Sequence, residues 1–195
     1  MALRGDPTTG IGTTYQAHPD GYQSSPELIA GIKKRYPDFE ISVSAYPEKH
    51  PESPDLDADI DTLQAKVDAG AARAITQVFF DNDLYFRYLD RVRARGINIP
   101  IVPGIMPMHS FKQARGFVTR AGTTVPSWLA DKFEGLDDDA DTRKLVAATV
   151  AAGQVQKLAK HGVDTFHFYT MNRADLVFAI SHLLGIRPAG AQKAA

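Results

Sequence analysis

Five short apolar runs, separated by segments of helical periodicity, constrain the fold of this chain more than any other feature. They cover residues 1–4, 39–46, 73–80, 99–106 and 164–171. The runs are rich in β-branched or aromatic residues and short enough to be strands buried on both faces. Strands of this kind, alternating with helices, form parallel sheets. The sequence therefore predicts an α/β fold built from five βα units.

The segments between the runs carry recognisable helix boundaries. Ser25 is the predicted N-cap of the first helix, with Pro26 at the first helical position and Pro37 beyond the end. An apolar stripe at helical spacing marks the second helix: Leu56, Ile60, Leu63 and Val67, closing at Gly70. The third closes at Gly96 in the same way. Further helices are predicted around 110–120, 141–161 and 173–184, with a helical insertion near 126–136.

Two parallel-sheet architectures fit this order, an open doubly wound sheet and a (β/α)8 barrel. No G-x-G-x-x-G motif follows a predicted strand, so the open dinucleotide-binding sheet lacks its main signature. Polar residues at the C-terminal ends of strands favour the barrel, whose active face lies there. These residues are Asp6, Tyr46, Gln77, 103–104 and 169–173. Five units are fewer than a complete barrel has, so we expect a partial barrel that forms one domain over residues 1–195.

Charge and composition exclude several functional classes. Lys and Arg (22) nearly balance Asp and Glu (23), so no strong field favours nucleic acid or an anionic membrane. The absence of Cys excludes disulfides and thiolate chemistry, and the six His lack metal-ligand spacing, so we predict no metal site. Neither an esterase elbow nor a phosphate-binding loop motif occurs. Without an apolar membrane span or a secretory leader, a cytoplasmic protein is expected.

Two loops that follow predicted strands contain side chains able to carry chemistry. Asp6, beside Gly5, could approach a ligand closely; alternatively, it belongs to an ordinary turn with an Arg4–Asp6 pair. Tyr46 and His50 lie in a Pro-flanked loop, where an aromatic face and an imidazole could grip a planar ring. The alternative is a solvated loop.

The second helix adds a polar face next to its apolar stripe. Asp59, Thr62 and Lys66 share this face and would direct an anion, a hydroxyl and a cation toward the loop. Charged flanks of amphipathic helices are usually solvated, which is the alternative interpretation here. His167, between two Phe residues in the last strand, is interpreted as a core or barrel-lumen residue.

Six stretches of the sequence strongly resemble methylenetetrahydrofolate reductases of the bacterial, flavin-dependent type. They are "ALRGD" (2–6), "ISVSAYPEKHPES" (41–53), "KVDAGAARAITQVFFD" (66–81), "PGIMP" (103–107), "FEGLDDDADTRK" (133–144) and "FHFYTMNR" (166–173). The stretches follow the family's order at close to its spacing. Together they extend the resemblance over nearly the whole chain.

The resemblance implies a (β/α)8 barrel that binds FAD without a covalent bond. NADH or NADPH reduces the flavin, leaves, and is replaced by 5,10-methylenetetrahydrofolate, which becomes 5-methyltetrahydrofolate for methionine synthesis. In such enzymes the cofactor carries the chemistry and the protein tunes it. The resemblance also allows a homo-oligomer, as in the full-length family.

Site residues follow from the resemblance by position. Arg4, Gly5 and Asp6 match a flavin-contacting segment, in which the aspartate lies by the pyrimidine side of the isoalloxazine and tunes both half-reactions electrostatically. The other positions that match cofactor contacts are Tyr22, Gln23, Tyr46, His50, Asp59, Thr62 and Lys66. Lys66 would supply the cation that the diphosphate requires. Gln77, Gln113 and Arg173 match substrate contacts, with Arg173 suited to a folate carboxylate.

The resemblance also places "ALRGD" at the family's fourth strand. We therefore expect three further βα units, including a glutamate that protonates the folate, to precede this region in a complete enzyme. The alternatives are a non-catalytic partial barrel that binds FAD or folate, one half of a split enzyme, or a fragment without function. The sequence does not decide between NADH and NADPH.

Overall fold

Helices and parallel strands alternate along the chain, as the sequence predicts. The computed structural model describes residues 1–7, 13 and 15–187, with Gln113 described by its backbone alone. The helices in this part are α1 (Ser25–Arg35), α2 (Leu56–Asp68), α3 (Asn82–Ala94), α4 (Phe111–Arg120), α5 (Ser127–Asp131), α6 (Ala140–Lys160) and α7 (Ala174–Leu183). The strands are β1 (Ser42–Ala45), β2 (Arg73–Thr76), β3 (Ile101–Val102), β4 (Gly104–Ile105) and β5 (His167–Phe168). Every pairing between these strands is parallel, which confirms the α/β class.

The strands are shorter than the apolar runs that predict them. β1, β2 and β3 form one sheet in that order, and β4 and β5 form a second. No strand forms over residues 1–4, although the Ala2 N–H donates to the Ser42 carbonyl (2.8 Å) and so places this segment beside β1. The apolar runs therefore mark the position and neighbours of each strand more reliably than its length.

The run at 99–106 is divided at Pro103, which has no N–H to donate to a ladder. The Gly104 N–H donates to the Thr76 hydroxyl (2.9 Å) at the end of β2. The Pro103 carbonyl accepts from the His167 N–H (3.0 Å), and the Tyr169 hydroxyl donates to the Thr76 carbonyl (2.9 Å). We call these five residues the sheet junction, because they connect the edge of one sheet to the next.

Two hydrophobic clusters bury the strands under the helices. The larger contains Val43, Ile60 and Phe79, with side chains from α1, α2, α3, α6 and α7. The smaller lies beneath α4, α5 and the start of α6 and includes Met106 and Leu129. His167 is half-buried and contacts the Tyr169 ring edge-on at 4.8 Å, in agreement with its interpretation as an interior residue.

The helix boundaries agree with the sequence except at the start of α1 and in the insertion predicted near 126–136, where α5 covers only Ser127–Asp131. The N-cap is Ser24, whose side chain accepts from the Glu27 N–H (3.3 Å), and Ser25 is already helical. The prediction of Ser25 as the cap was wrong by one residue, because two consecutive serines precede Pro26 and only the first has the extended backbone that a cap needs. No helix in the described part is long and apolar enough to cross a membrane.

This boundary is directly testable with neighbouring substitutions. Ser24→Ala should lower the free energy of unfolding by about 1 kcal/mol, because the Glu27 N–H loses its acceptor. Ser25→Ala is the matched control and should change it by less than about 0.5 kcal/mol, since alanine is favourable inside a helix. Urea denaturation followed by circular dichroism measures both values. An equal loss in the two variants would contradict the assignment of Ser24 as the cap.

Candidate functional site

The loop over residues 46–55 joins β1 to α2 and is held by the carboxylate of Asp59. The His50 N–H donates to one oxygen of this carboxylate, and the Ser53 hydroxyl donates to the other (2.5 Å). The Asp59 residue is only 8% exposed, and these two donors stabilise its buried negative charge. A buried carboxylate on the helix thus fixes the conformation of the loop.

The rings of Tyr46 and His50 meet edge to face, with centroids 4.8 Å apart. The His50 Nδ1 accepts from the Glu52 N–H (3.1 Å), so the proton of the neutral imidazole lies on Nε2. Burial, followed by the positive charge of Arg4, lowers the pKa of His50, and burial raises the pKa of Tyr46. Both rings are therefore neutral near pH 7 and can contact a planar, uncharged group.

Lys66 is a buried cation directed at the end of β1. It is 6% exposed, and its Nζ donates to the carbonyl (3.0 Å) and the hydroxyl (3.3 Å) of Ser44. Burial lowers the pKa of Lys66 to about 8. The negative charge of Asp59 opposes this shift, and the positive charge of Arg4 adds to it. Lys66 is in none of the ion pairs between described residues. The described hydrogen-bond partners of this buried ammonium are neutral oxygens, so the group is well suited to bind an anionic ligand.

The polar face of α2 is only partly solvated. Asp59 and Lys66 are buried, which contradicts the interpretation of this flank as an ordinary solvated face. Thr62 is exposed, and its hydroxyl donates to the Ala58 carbonyl one turn earlier (2.9 Å), so the solvated interpretation holds at that position.

The N-terminal segment places Arg4 beside the same loop. The Arg4 Nη1 pairs with the Glu52 carboxylate (2.5 Å), so the alternative in which Arg4 pairs with Asp6 is wrong. The guanidinium also lies over the Tyr15 ring, 4.3 Å from its centroid. Asp6 is exposed, and its negative charge contributes to the raised pKa of Tyr46. Gly5 between them has a positive φ of 85°, a conformation that favours glycine.

The remaining site positions are less closely tied to this group. Tyr22 is exposed, with its ring against Gly31 of α1, and the Gln23 amide donates to the carbonyls of His18 (3.0 Å) and Gly21 (2.8 Å). Their described contacts are thus local.

The three positions expected to contact substrate lie on different elements. Gln77 follows β2, and its side-chain oxygen accepts from the Val78 N–H (2.9 Å). Gln113 lies in α4, and its side chain is outside the described part. Arg173 is exposed at the start of α7, after Met171 and Asn172, both with positive φ. The described contacts do not join these residues to one another.

Three side chains of the site were not anticipated as site residues: Glu52, Ser44 and Tyr15. Glu52 and Ser44 lie within the stretch 44–53 that contains Tyr46 and His50, so the sequence did indicate the segment to which they belong. Their partners, Arg4 and Lys66, are 48 and 22 residues away, a separation at which local patterns carry no pairing information. Within the described part, no group of three or more acidic or His side chains could hold a metal ion.

Comparison with known proteins adds a family relationship to this geometry. The profile of the family described as methylenetetrahydrofolate reductase matches residues 1–185. The chain is similar to the 5,10-methylenetetrahydrofolate reductase of Escherichia coli (strain K12), with 49% identity over 96% of this chain and 61% of the relative. It is 35% identical to methylenetetrahydrofolate reductase (NADH) 1 of Arabidopsis thaliana, over 95% of this chain and 33% of that protein. It thus spans about three fifths of the bacterial relative.

A solved structure supports the fold independently. An uncharacterized protein from Clostridium thermocellum that binds two copies of 5-methyl-5,6,7,8-tetrahydrofolic acid superposes with a TM-score of 0.54. The match covers 80% of this chain and 56% of the other, at 16% identity. At this identity the likeness concerns the fold alone.

Proposed function

Because this chain belongs to the methylenetetrahydrofolate reductase family, we propose that it serves as a cytoplasmic flavoenzyme of one-carbon metabolism. The reaction is the reduction of 5,10-methylenetetrahydrofolate to 5-methyltetrahydrofolate by NADH or NADPH. The observation that carries this proposal is Lys66, a buried cation in the candidate site whose described partners are neutral oxygens. Such a group favours a ligand with a buried negative charge, as the diphosphate of FAD provides.

The chemistry of the described residues fits FAD: a buried cation for the diphosphate and two neutral rings for a planar group. Lys66 would bind the diphosphate, with Thr62 and Asp59 along the ribityl and diphosphate portion. The neutral rings of Tyr46 and His50 would contact the flavin, and the Arg4–Asp6 segment would lie at its pyrimidine side. When bound, FAD would supply hydride transfer between the nicotinamide and the folate.

The protein's own contribution is binding and electrostatics. The negative charge of Asp6 would disfavour extra negative charge on the flavin and stabilise positive charge on the folate. Gln77, Gln113 and Arg173 would bind the folate, with Arg173 opposite its carboxylate. Tyr22 and Gln23 are proposed as further cofactor contacts. Residues 1–195 would form one domain, in which the five strands are part of a (β/α)8 barrel.

The test is retention of FAD followed by turnover. The purified protein is incubated with FAD, passed through a desalting column, and assayed for flavin absorbance. We expect bound FAD and slow oxidation of NADH or NADPH with an artificial electron acceptor. Formation of 5-methyltetrahydrofolate is expected only when the part of the bacterial relative that this chain does not match is also supplied. Retained FAD without folate reduction in that combined preparation would instead favour the non-catalytic flavin- or folate-binding alternative. Absence of FAD binding would contradict the proposal.

A further inference from the structure

We propose that Glu52 is a positioning residue of the flavin site and acts through Arg4. This inference rests on the proposed function, because it concerns how the FAD site is held in a binding-competent arrangement. Glu52 would not touch the cofactor. It would fix the orientation of the Arg4 guanidinium, which belongs to the segment proposed to lie at the flavin.

Glu52 connects three separate parts of the chain. One carboxylate oxygen accepts from the Arg4 Nη1 (2.5 Å), and the other accepts from the Tyr15 N–H (3.2 Å). Its own backbone N–H donates to the His50 Nδ1 (3.1 Å). Thus the N-terminal segment, the backbone at Tyr15 and the loop that carries His50 all meet at one residue. We call this arrangement the Glu52 bridge.

The bridge also fixes the plane of the guanidinium. Arg4 is held between the carboxylate of Glu52 and the face of the Tyr15 ring, 4.3 Å from the ring centroid. A planar guanidinium held on an edge and on a face has little freedom to rotate. Side chains pre-positioned in this way bind a ligand without first losing conformational entropy.

Charge gives Glu52 a second role in the same site. The positive charge of Arg4 contributes to the lowered pKa of Lys66 and of His50, so it acts on both groups. The Glu52 carboxylate partly neutralises this charge at a distance of 2.5 Å. Without it, the Arg4 guanidinium would lose its ion pair beside the loop that carries His50 and could turn toward solvent, and the site would lose a correctly placed cation.

A purely structural role would give a different pattern of effects. The side chains of Arg4 and Glu52 are 30% and 35% exposed, and ion pairs of such exposure contribute little to stability. Loss of the pair should therefore leave the thermal midpoint nearly unchanged and weaken FAD binding. This separation of stability from binding distinguishes a positioning residue from a structural brace.

The first experiment compares Glu52→Gln with Glu40→Gln. Glu40 forms an equally short pair with Arg73 (2.5 Å), adjoining the start of β2 and away from the site, so it is the matched control. We expect Glu52→Gln to raise the FAD dissociation constant about tenfold and to shift the thermal midpoint by less than about 2 °C. Glu52→Asp, which keeps the charge, should recover part of the affinity, and Glu40→Gln should leave it within twofold.

The second experiment tests whether the effect passes through Arg4. In an Arg4→Ala background, Glu52→Gln should weaken FAD binding by less than twofold further. Glu52→Ala should also accelerate hydrogen exchange of the Tyr15 amide in the FAD-free protein, because that amide loses its acceptor.

Several results would overturn the inference. They are FAD binding by Glu52→Gln equal to the unsubstituted protein, an undiminished effect in the Arg4→Ala background, or unchanged Tyr15 exchange in Glu52→Ala. Failure of the unsubstituted protein to bind FAD would refute the proposed function and, with it, the binding role of Glu52. Normal FAD binding by Glu52→Gln would refute the role of Glu52 alone, so the two failures are distinguishable.

Discussion

Gly104→Ala should destabilise the protein by about 3 kcal/mol or more, or prevent its accumulation in soluble form. A Cβ at this position would overlap the Thr76 carbonyl oxygen and lie 2.5 Å from Cε2 of the Tyr169 ring. The carbonyl is part of the backbone at the end of β2, and Tyr169 is hydrogen-bonded to it. Neither group can move without breaking the sheet junction. Urea denaturation measures the loss.

Gly153→Ala is the matched control for that substitution. Gly153 lies inside α6, and a Cβ there would meet no atom within 4 Å. Alanine should therefore stabilise the protein by roughly 0.5–1 kcal/mol, because it reduces the entropy of the unfolded chain and favours the helix. Equal stabilities of the Gly104→Ala variant and the unsubstituted protein would show that the sheet junction is not tightly packed.

Lys66→Met should stabilise the FAD-free protein at pH 7 and weaken FAD binding at the same time. Burial lowers the pKa of Lys66 from 10.5 to about 8, so the folded state holds its ammonium at a cost on the order of 3 kcal/mol. Loss of the hydrogen bonds from Lys66 to Ser44 cancels about 1 kcal/mol of this gain in the free energy of unfolding. FAD binding should weaken by ten- to a hundredfold, because a charge-assisted hydrogen bond contributes about 1.5–3 kcal/mol.

The pH dependence gives this prediction a definite sign. Between pH 8 and 10.5 the unfolded chain binds a proton at Lys66 that the folded chain has released, so stability attributable to Lys66 rises with pH. The advantage of Lys66→Met should therefore be largest below pH 8 and vanish as the pH approaches 10.5. Lys34→Met, at an exposed position in α1, should show neither effect. A stability difference that does not change with pH would contradict the buried-cation account.

The fold could be predicted from the sequence to the level of element order, because burial of both sheet faces leaves continuous apolar runs. Two features could not be predicted in this way: the division of the strand at Pro103 and the absence of a strand at 1–4. Both depend on which backbone groups find partners across the sheet, such as the Gly104 N–H at the Thr76 hydroxyl. Apolar patterning reports burial and does not report these individual partners. The misplaced N-cap has a similar cause, since Ser24 and Ser25 have equal side-chain chemistry.

The sequence predicts which segments contribute to the candidate site better than it predicts the contacts within that site. Tyr46, His50, Asp59 and Lys66 were named from a loop and a helix face that follow one strand, and the structure places them together. Their roles within the site were not predictable. Asp59 uses both carboxylate oxygens to hold the loop, which depends on tertiary geometry. The Glu52 bridge joins residues up to 48 positions apart and has no local signature.

The sheet junction has a consequence for how the native state opens. Two hydrophobic clusters meet at this junction: the larger packs on β1 to β3 and includes Ile105 of β4, and the smaller lies beneath α4 and α5 and includes Val78 after β2. Side chains make the hydrogen bonds that join the two sheets here: the Gly104 N–H donates to the Thr76 hydroxyl, and the Tyr169 hydroxyl donates to the Thr76 carbonyl. Regions joined in this way, without a continuous backbone ladder, can act as cooperative units with different opening free energies. We therefore expect amide hydrogen exchange to give different opening free energies for the segment from Met106 to Phe133 and for the region that carries Lys66.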